Sequence, residues 1–423
     1  MVGATAEGRS AAGTAPRPML ARARERTRPG PPPGKRSRVF VTLAGGYPRG
    51  AASDAGASGP GPAGDERERH DRAVDAVLTE LATIGLEPLS DGEVRWTDPP
   101  AAIALGLDGL EVAPATGPAI VAAGPPPIRA VRAPSWRAPI TVDDWRYAAS
   151  RTERAVKQAI VGPYTLGRRI DSGQLGRDRV TLAIAEALNA ELRALATAGC
   201  PLVEVQEDAA VEIGEDEGER RRFTEAQRRL LDGVAGDVHC TLAVRGGSVD
   251  TAGASTILEP PYRSFLLDLI AGPDNWWLIA VAPPDRGVVC GVMDVRPGRT
   301  MGIEELIFAA RYAASLGGRG LVRVGLSPAG SMAHLDPADA RSRLELLVRA
   351  AELAASSPEE IGRAMDPRAV DIRSAALGRY APARRHGPGP AAPEVRKDGG
   401  AGAVVPRREQ DPDGHDPAKD PRP

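Results

Sequence analysis

Residues 180–208 read VTLAIAEALNAELRALATAGCPLVEVQED and contain one complete helix–strand unit. Apolar residues recur at helical spacing from 180 to 198, and Gly199 is a typical helix end because glycine adopts left-handed backbone angles easily. The apolar run 202–205 has the length of a buried strand, and the polar residues Gln206, Glu207 and Asp208 follow it at once. This stretch predicts a long helix, a tight turn and a strand that ends in polar side chains.

The same unit recurs along most of the chain. Apolar runs of strand length lie at 39–43, 86–89, 159–161, 202–205, 237–244, 255–258, 277–281, 287–295 and 321–326, and helical spacing marks 72–84, 180–198, 224–235, 303–316 and 341–354. Strand and helix alternate without a hairpin turn signal, which favours a parallel sheet. About eight such units predict an α/β protein of the (β/α)8 TIM barrel type, with a doubly wound open sheet as the alternative.

Charge and composition exclude several classes of protein. The 423 residues carry 54 Lys and Arg against 56 Asp and Glu, a net charge of −2, so we expect neither nucleic acid nor a membrane surface as a partner. No run of about 18 apolar residues could span a bilayer. Three cysteines are too few for a disulfide scaffold and are typical of a reducing compartment, and we expect the cytoplasm.

The ends of the chain differ from its middle in composition. Residues 1–36 are rich in Arg, Pro and Gly and predict a disordered basic arm, with a transit peptide as the weaker alternative. Residues 381–423 have no apolar period and predict a disordered tail. The barrel is expected over 37–358, with a flexible loop at 51–66.

Polar residues stand at or just past the ends of several predicted strands. They are Glu93, Gln206, Glu207, Glu259, Asp294 and Arg296. In a parallel barrel the carboxyl ends of all strands meet at one mouth, where such enzymes carry out their chemistry. The set therefore predicts one site for a small-molecule substrate at that mouth.

Short motifs between about residues 38 and 355 extend this interpretation. They are Gly45-Gly46-Tyr47-Pro48-Arg49, Leu89-Ser90-Asp91-Gly92-Glu93, Lys157 with Gly162-Pro163 and Thr165, Val203-Glu204-Val205-Gln206-Glu207, Val238-His239-Cys240, Ile257-Leu258-Glu259, Gly291-Val292-Met293-Asp294-Val295 and Leu326-Ser327-Pro328-Ala329-Gly330. In this order and spacing the chain resembles the cobalamin-independent methionine synthase family, in its C-terminal catalytic barrel and short single-barrel form. The resemblance implies transfer of a methyl group from methyltetrahydrofolate or another donor to the thiol of homocysteine or a related thiol.

The resemblance also implies a zinc ion that binds this thiol and lowers its pKa. The family's ligand positions fall on Cys240 and Glu259, with His239 beside Cys240 in place of the expected residue 238. Neighbouring residues of a strand point to opposite faces, so His239 could join Cys240 only through a bulge. The fourth ligand position is Ala329, which cannot bind metal.

Other positions receive roles from the same resemblance. Substrate binding falls on five residues: Tyr47, Glu93, Thr165, Gln206 and Arg296. Glu93 stands where the family binds the amino group of homocysteine, and the turn at Tyr47 could offer backbone groups to a carboxylate. Asp294 and Glu207 are the candidate catalytic carboxylates.

Two alternatives stay open at this stage. One is a zinc-free barrel of the same superfamily that acts on an anionic substrate, with Arg95 and Arg296 as clamps and Asp294 or Glu207 as acid and base. The other is a non-catalytic relative that binds a ligand or a partner.

Overall fold

A computed structural model describes residues 38–49, 63–113, 127–234, 236 and 238–364. Its strands are β1 (Phe40–Val41), β2 (Asp108–Val112), β3 (Ile128–Ser135), β4 (Gln158–Val161), β5 (Ile170–Asp171), β6 (Leu202–Gln206), β7 (His239–Val244), β8 (Ser264–Asp268), β9 (Gly287–Met293) and β10 (Val324–Pro328). Seven of them form one parallel sheet in the order β1-β10-β9-β8-β7-β6-β4. The result is an α/β fold with a curled parallel sheet, consistent with a TIM-like barrel.

The helices occupy the connections between the strands. They are α1 (Ala63–Ile84), α2 (Pro99–Leu105), α3 (Val142–Ser150), α4 (Pro163–Arg169), α5 (Arg177–Ala198), α6 (Glu217–Leu230), α7 (Ala254–Leu258), α8 (Asn275–Val281), α9 (Ile303–Ser315), α10 (Pro337–Ala354) and α11 (Pro358–Ala364). The long helix predicted at 180–198 is confirmed, and Gly199 caps it with a φ of 94°. Within the described part of the chain, no helix is long and apolar enough to cross a membrane.

The sheet has two faces that the sequence pattern separates. On β6, Val203 and Val205 pack outward into the large core beneath the helices, whereas Glu204 and Gln206 point to the concave face. A small second core of Ala44, Ala243, Leu266 and Val289, with Phe40 against it, lies apart from the large one. The concave face is thus only partly filled by apolar side chains, unlike the usual bulky layers of such barrels.

Two predicted strands are wrong, and the first of these errors affects a proposed site residue. Residues 255–258 belong to helix α7 and residues 277–281 to helix α8. The missed strand is β8, whose SFLLD sequence follows two prolines. Short apolar runs do not distinguish strand from buried helix, which explains the error. As a consequence, Glu259 does not end a strand.

Other differences lie outside the main sheet. An antiparallel pair, β2 with β3, was not expected from the sequence. Residues 63–66 of the predicted loop are helical, while the rest of that loop, the basic arm and the tail lie outside the described residues. The predicted strand 86–89 contributes one parallel bridge, between Leu89 and Val156.

Candidate functional site

A cavity of about 1030 Å³ opens at the carboxyl ends of the strands. We call it the mouth cavity. Its lining includes Gln206 at the end of β6, Arg245 just after β7, and Glu93. Thr165 of α4 and Ser331, shortly after β10, line it as well. Of the seven residues proposed for catalysis or substrate binding, Glu93, Thr165 and Gln206 meet here as the sequence predicts.

Glu93 is held by an unusual turn. Its φ is 53°, in the left-handed region that non-glycine residues rarely adopt, and Gly92 before it has a φ of 70°. The Ser90 hydroxyl accepts a hydrogen bond from the Gly92 amide, and Asp91 Oδ1 accepts one from the Glu93 amide, both at 3.0 Å. These local bonds stabilise a conformation that costs about 1–3 kcal/mol. The Ser-Asp-Gly-Glu sequence therefore aims one carboxylate at the mouth.

The Glu93 carboxylate is buried and is the first member of a series of hydrogen-bonded polar side chains on the concave face of the sheet. Gln206 Nε2 donates to Glu93 Oε1 at 2.5 Å and to Glu204 Oε1 at 3.3 Å. Lys157 Nζ in turn pairs with Glu204 Oε2 and donates to the Leu43 carbonyl. Burial raises the pKa of Glu93 to about 7, while the charge of Arg245 opposes this rise. Glu93 can therefore gain or lose a proton near neutral pH.

Arg245 is the arginine of the lining whose charge acts on Glu93, and its side chain is only 11% exposed. Nε and Nη2 make a two-pronged pair with Asp208 at 3.0 and 2.7 Å. The third nitrogen, Nη1, is buried without a hydrogen-bond partner among the described residues and lies beside Gly45. Burial lowers the pKa of Arg245, but Asp208 and Glu93 outweigh this and raise it. Arg245 therefore places a cationic side chain with one unsatisfied, buried donor in the wall of the mouth cavity.

Charges around the mouth cavity are close to balanced. Three arginines line it, Arg168, Arg169 and Arg245, against the acids Glu93, Asp98, Asp208 and Glu212. Arg168 pairs with Glu212, and Arg169 lies 3.7 Å from Asp98. What remains for a ligand is the pair of Glu93 and Arg245 Nη1. This geometry suits a small molecule that carries one positive and one negative group.

Glu207, predicted as a catalytic carboxylate, has a different place. It is fully buried and accepts hydrogen bonds from the amides of Tyr164 and Thr165 at 3.0 and 2.7 Å. Gln227 Nε2 donates a third bond at 2.6 Å. Burial raises the pKa of Glu207 to about 7 in spite of these bonds. Its position anchors the start of α4 behind Thr165 and does not line the mouth cavity.

Asp294 and Arg296 satisfy each other. Arg296 Nε and Nη2 contact the two Asp294 carboxylate oxygens, at 3.0 and 2.5 Å, and the Arg296 amide also donates to Asp294. The hydrogen bonds from Arg296 lower the pKa of Asp294. Neither residue lines the mouth cavity. The geometry does not support an acid–base role for Asp294 or a substrate clamp at Arg296.

Two further candidates also point elsewhere. Tyr47 is 2% exposed, and its pKa is raised by burial and by Glu80 of α1, so its ring packs towards the helices. Arg95 is buried against Asp71 and Asp144 and stacks on the Tyr147 ring. Both side chains support the fold around the site and do not line the mouth cavity.

The residues proposed as zinc ligands do not come together. His239 is the first residue of β7, at the amino end, where its Nε2 lies 2.8 Å from Ser264 Oγ. Cys240 points outward into the large core, where burial raises its pKa to about 12, and Glu259 is exposed after α7. Ala329 offers no ligand atom. In the described part of the chain, no cluster of three or more His, Cys, Asp or Glu could hold a metal ion.

Two polar residues at strand ends, Arg245 and Asp268, were not predicted from the sequence. Arg245 follows an apolar strand and precedes two glycines, the same signal that singled out Gln206 and Asp294. Asp268 ends β8, and its carboxylate accepts hydrogen bonds from the amides of Gly246, Ile270 and Ala271. Asp268 therefore fixes the turn that follows Arg245.

The chain thus has an α/β fold, consistent with a TIM-like barrel, and a cavity at the carboxyl ends of its strands. Residues 49–239 match the family model described as the catalytic domain of cobalamin-independent synthase. This match confirms the resemblance to that family that the sequence motifs predict.

Among the solved structures that are similar to this chain are two proteins described as B12-independent methionine synthases. One is a Listeria monocytogenes protein described as a vitamin-B12-independent methionine synthase, at 18% identity and a TM-score of 0.60, with 75% of this chain and 98% of that chain covered. The other is a B12-independent methionine synthase from Shewanella sp. W3-18-1 in complex with selenomethionine, at 16% identity and a TM-score of 0.65, with 78% and 100% covered. At these identities the likeness establishes the fold alone.

Proposed function

We propose that the mouth cavity binds a small amino acid without a metal ion, with its carboxylate on Arg245 and its ammonium group on Glu93. The observation that carries this proposal is the buried, unpartnered Nη1 of Arg245. An unsatisfied buried donor costs about 1–3 kcal/mol, more when charged, and a ligand carboxylate would remove that cost. The proposal shares the absence of zinc with the anionic-substrate alternative raised by the sequence, but it uses Arg245 in place of Arg95 and Arg296 and a ligand that also carries an ammonium group.

Two further observations support an amino acid over a simple anion. Glu93 lies within the same lining as Arg245 and offers a carboxylate to an ammonium group. The similar Shewanella protein is described in complex with selenomethionine, an amino acid with a long thioether side chain. The cavity, at about 1030 Å³, has room for such a molecule and for a second one beside it.

The proposal also uses a closed barrel. The Glu87 amide donates to the Val41 carbonyl at 2.9 Å, and the Leu89 amide donates to the Ala155 carbonyl at 2.8 Å. Residues 86–89 therefore contact β1 on one side and the start of β4 on the other. We infer that this segment serves as the eighth strand and carries the Glu93 turn to the mouth.

Isothermal titration calorimetry of the full chain, dialysed against a chelator, tests the proposal. We expect L-methionine or L-homocysteine to bind with a Kd between about 10 µM and 1 mM. Methionine amide lacks the carboxylate and 4-(methylthio)butyrate lacks the ammonium group, so each should bind at least about tenfold more weakly. Equal affinity for all four compounds would refute the assignment of Arg245 and Glu93.

Binding should depend on pH through Glu93. Because its pKa is about 7 and only the ionised carboxylate attracts an ammonium group, affinity should rise with pH across neutrality. Between pH 6 and pH 8 the ionised fraction, and hence the affinity for L-methionine, should grow about tenfold. The Glu93→Gln variant should bind more weakly at pH 8 and show a flat profile. A profile that persists in this variant would assign the titration to another group.

The family match favours a second candidate, methyl transfer from a folate or another donor to homocysteine or a related thiol. The residues present do not supply the family's zinc ligands, so we propose no step through that metal. The size of the cavity leaves space for a donor beside the amino acid. Incubation with methyltetrahydrofolate and homocysteine, followed by detection of methionine, tests this candidate.

Zinc content gives a separate prediction. Since His239 and Glu259 stand apart, we expect substoichiometric zinc in the purified protein by mass spectrometry, and the same value in the His239→Gln and Glu259→Gln variants. Methionine formation, if present, should be equal in all three proteins. One zinc per chain that is lost in either variant would restore the original assignment.

A further inference from the structure

A second cavity, of about 610 Å³, lies at the amino ends of the strands, opposite the mouth. We call it the basal cavity. His239, Ser264 and Gly287, the first residues of β7, β8 and β9, line it, and it shares no lining residue with the mouth cavity. Its volume falls in the range of small-molecule sites, whereas voids in a packed core rarely exceed a water molecule.

The sequence leaves this space open because small or polar residues occupy concave positions. Gly325 of β10 makes room for the Phe40 ring at the cavity wall, because a Cβ at that position would collide with the ring. Thr241 and Glu204 stand where bulky aliphatic residues usually fill a barrel. The space between the strands is therefore a property of the residues themselves and not of a loop at its edge.

The walls of the basal cavity combine an apolar surface with a cationic opening. Phe40, Leu266 and Val289 form the apolar part. The deep charges, Lys157 and Glu204, pair with each other. The remaining charged side chains are Arg263, Arg286 and Arg323 against a single acid, Asp285. Arg286 and Arg323 donate to backbone carbonyls, which carry no formal charge, so these two arginines supply positive charge to this part of the lining.

Hydrogen-bonding groups stand between these two regions. Thr241 Oγ1 and His239 Nε2 each contact Ser264 Oγ, at 2.7 and 2.8 Å. The ring nitrogen of His239 can donate or accept here, depending on the tautomer of the imidazole. Such a cluster can orient a polar group at the entrance to the apolar wall.

We propose that the basal cavity is a second binding site, for a small amphipathic anion such as an aromatic or branched carboxylate. Its apolar body packs against Phe40, Leu266 and Val289, and its anionic group faces the arginines. The site does not rest on the amino-acid site at the mouth, because the two cavities open at opposite ends of the sheet.

The test uses naphthalene-1-carboxylate as the probe, with the full chain and titration calorimetry. We expect saturable one-to-one binding with a Kd below about 1 mM, and at least about fivefold weaker binding of the neutral naphthalene-1-carboxamide. Val322→Trp covers the opening from a position that is 60% exposed, and Arg323→Glu reverses an exposed charge. Each should weaken binding at least about fivefold, while Arg349→Glu on exposed α10 surface should not.

Histidine resonances locate the probe independently of these variants. The chain has five histidines, of which His239 lines the basal cavity and His334 bonds the Val295 carbonyl past the end of β9. The resonance that is missing from the His239→Gln variant is assigned to His239. In the unsubstituted protein the probe should shift this resonance and leave that of His334 unchanged. The proposal is overturned by no binding at 5 mM probe (about five times the expected upper Kd), by shifts confined to His334, by loss of binding in Arg245→Met, or by unchanged affinity in both Val322→Trp and Arg323→Glu.

Discussion

Arg245→Met should abolish most of the affinity for L-methionine, with a Kd at least about 30-fold higher than that of the unsubstituted protein. Truncating one partner of a buried, charge-assisted hydrogen bond costs about 2–5 kcal/mol, because the other charge is left unpaired. In this variant the ligand carboxylate would face Glu93 without a neighbouring cation. Asp208 is 42% exposed, so water can solvate it and the fold should survive. Titration calorimetry at pH 8 measures the change.

Two matched variants separate the role of Arg245 from general effects of charge. Arg245→Lys keeps the positive charge but cannot hold Asp208 with two nitrogens and still present a third to a ligand, so we expect an intermediate loss. Arg296→Met removes an arginine that is 62% exposed and paired with Asp294, and the Kd should stay within about twofold. A similar loss in Arg296→Met and Arg245→Met would show that only net charge matters.

Lys157→Met should cost about 3–5 kcal/mol of the free energy of unfolding, the typical penalty for breaking a buried ion pair. The side chains of Lys157 and Glu204 are 3% and 2% exposed. Without Lys157 the Glu204 carboxylate would stay buried, with only the weak contact from Gln206 at 3.3 Å. Urea denaturation at pH 7.5 measures the loss, and a melting curve gives the same ranking if the variant is only marginally stable.

The control is the removal of both charges. Lys157→Met combined with Glu204→Leu leaves no unpaired ion, so it should recover most of the lost stability. Arg146→Ala breaks the ion pair of Arg146 with Asp143, whose side chains are 60% and 78% exposed, and should cost less than about 1 kcal/mol. A loss below about 1 kcal/mol for Lys157→Met would contradict the buried pair.

The sequence predicts the parallel α/β character well because helix and strand signals are local. Gly199 and the polar ends of β6 are examples, since each depends on a few neighbouring residues. The sixth predicted strand is wrong because its signal is also local. Residues 255–258 and 264–268 are both short apolar runs, and only tertiary pairing decides which of them becomes a strand. Among the described residues the proposed metal ligands also stay apart, because the position of Glu259 in the sequence does not show which side chains it meets in the fold.

The site residues likewise divide into those that the sequence predicts and those that it does not. Glu93, Gln206 and Thr165 could be found because polar residues at strand ends meet at one edge of a parallel sheet. Asp294 and Glu207 satisfy the same rule, yet their carboxylates are taken up by Arg296 and by the start of α4. Whether a carboxylate faces a cavity or a structural partner depends on contacts between distant segments, which a single sequence does not reveal.

A crystal structure of the full chain, soaked with L-methionine after chelator treatment, tests the central claim most directly. We predict the ligand carboxylate within about 3 Å of Arg245 Nη1, and the ammonium group at a similar distance from Glu93. No metal should lie between ligand and protein. Methionine bound elsewhere, or held in the mouth cavity by a metal ion while Arg245 Nη1 stays unpaired, would contradict the account.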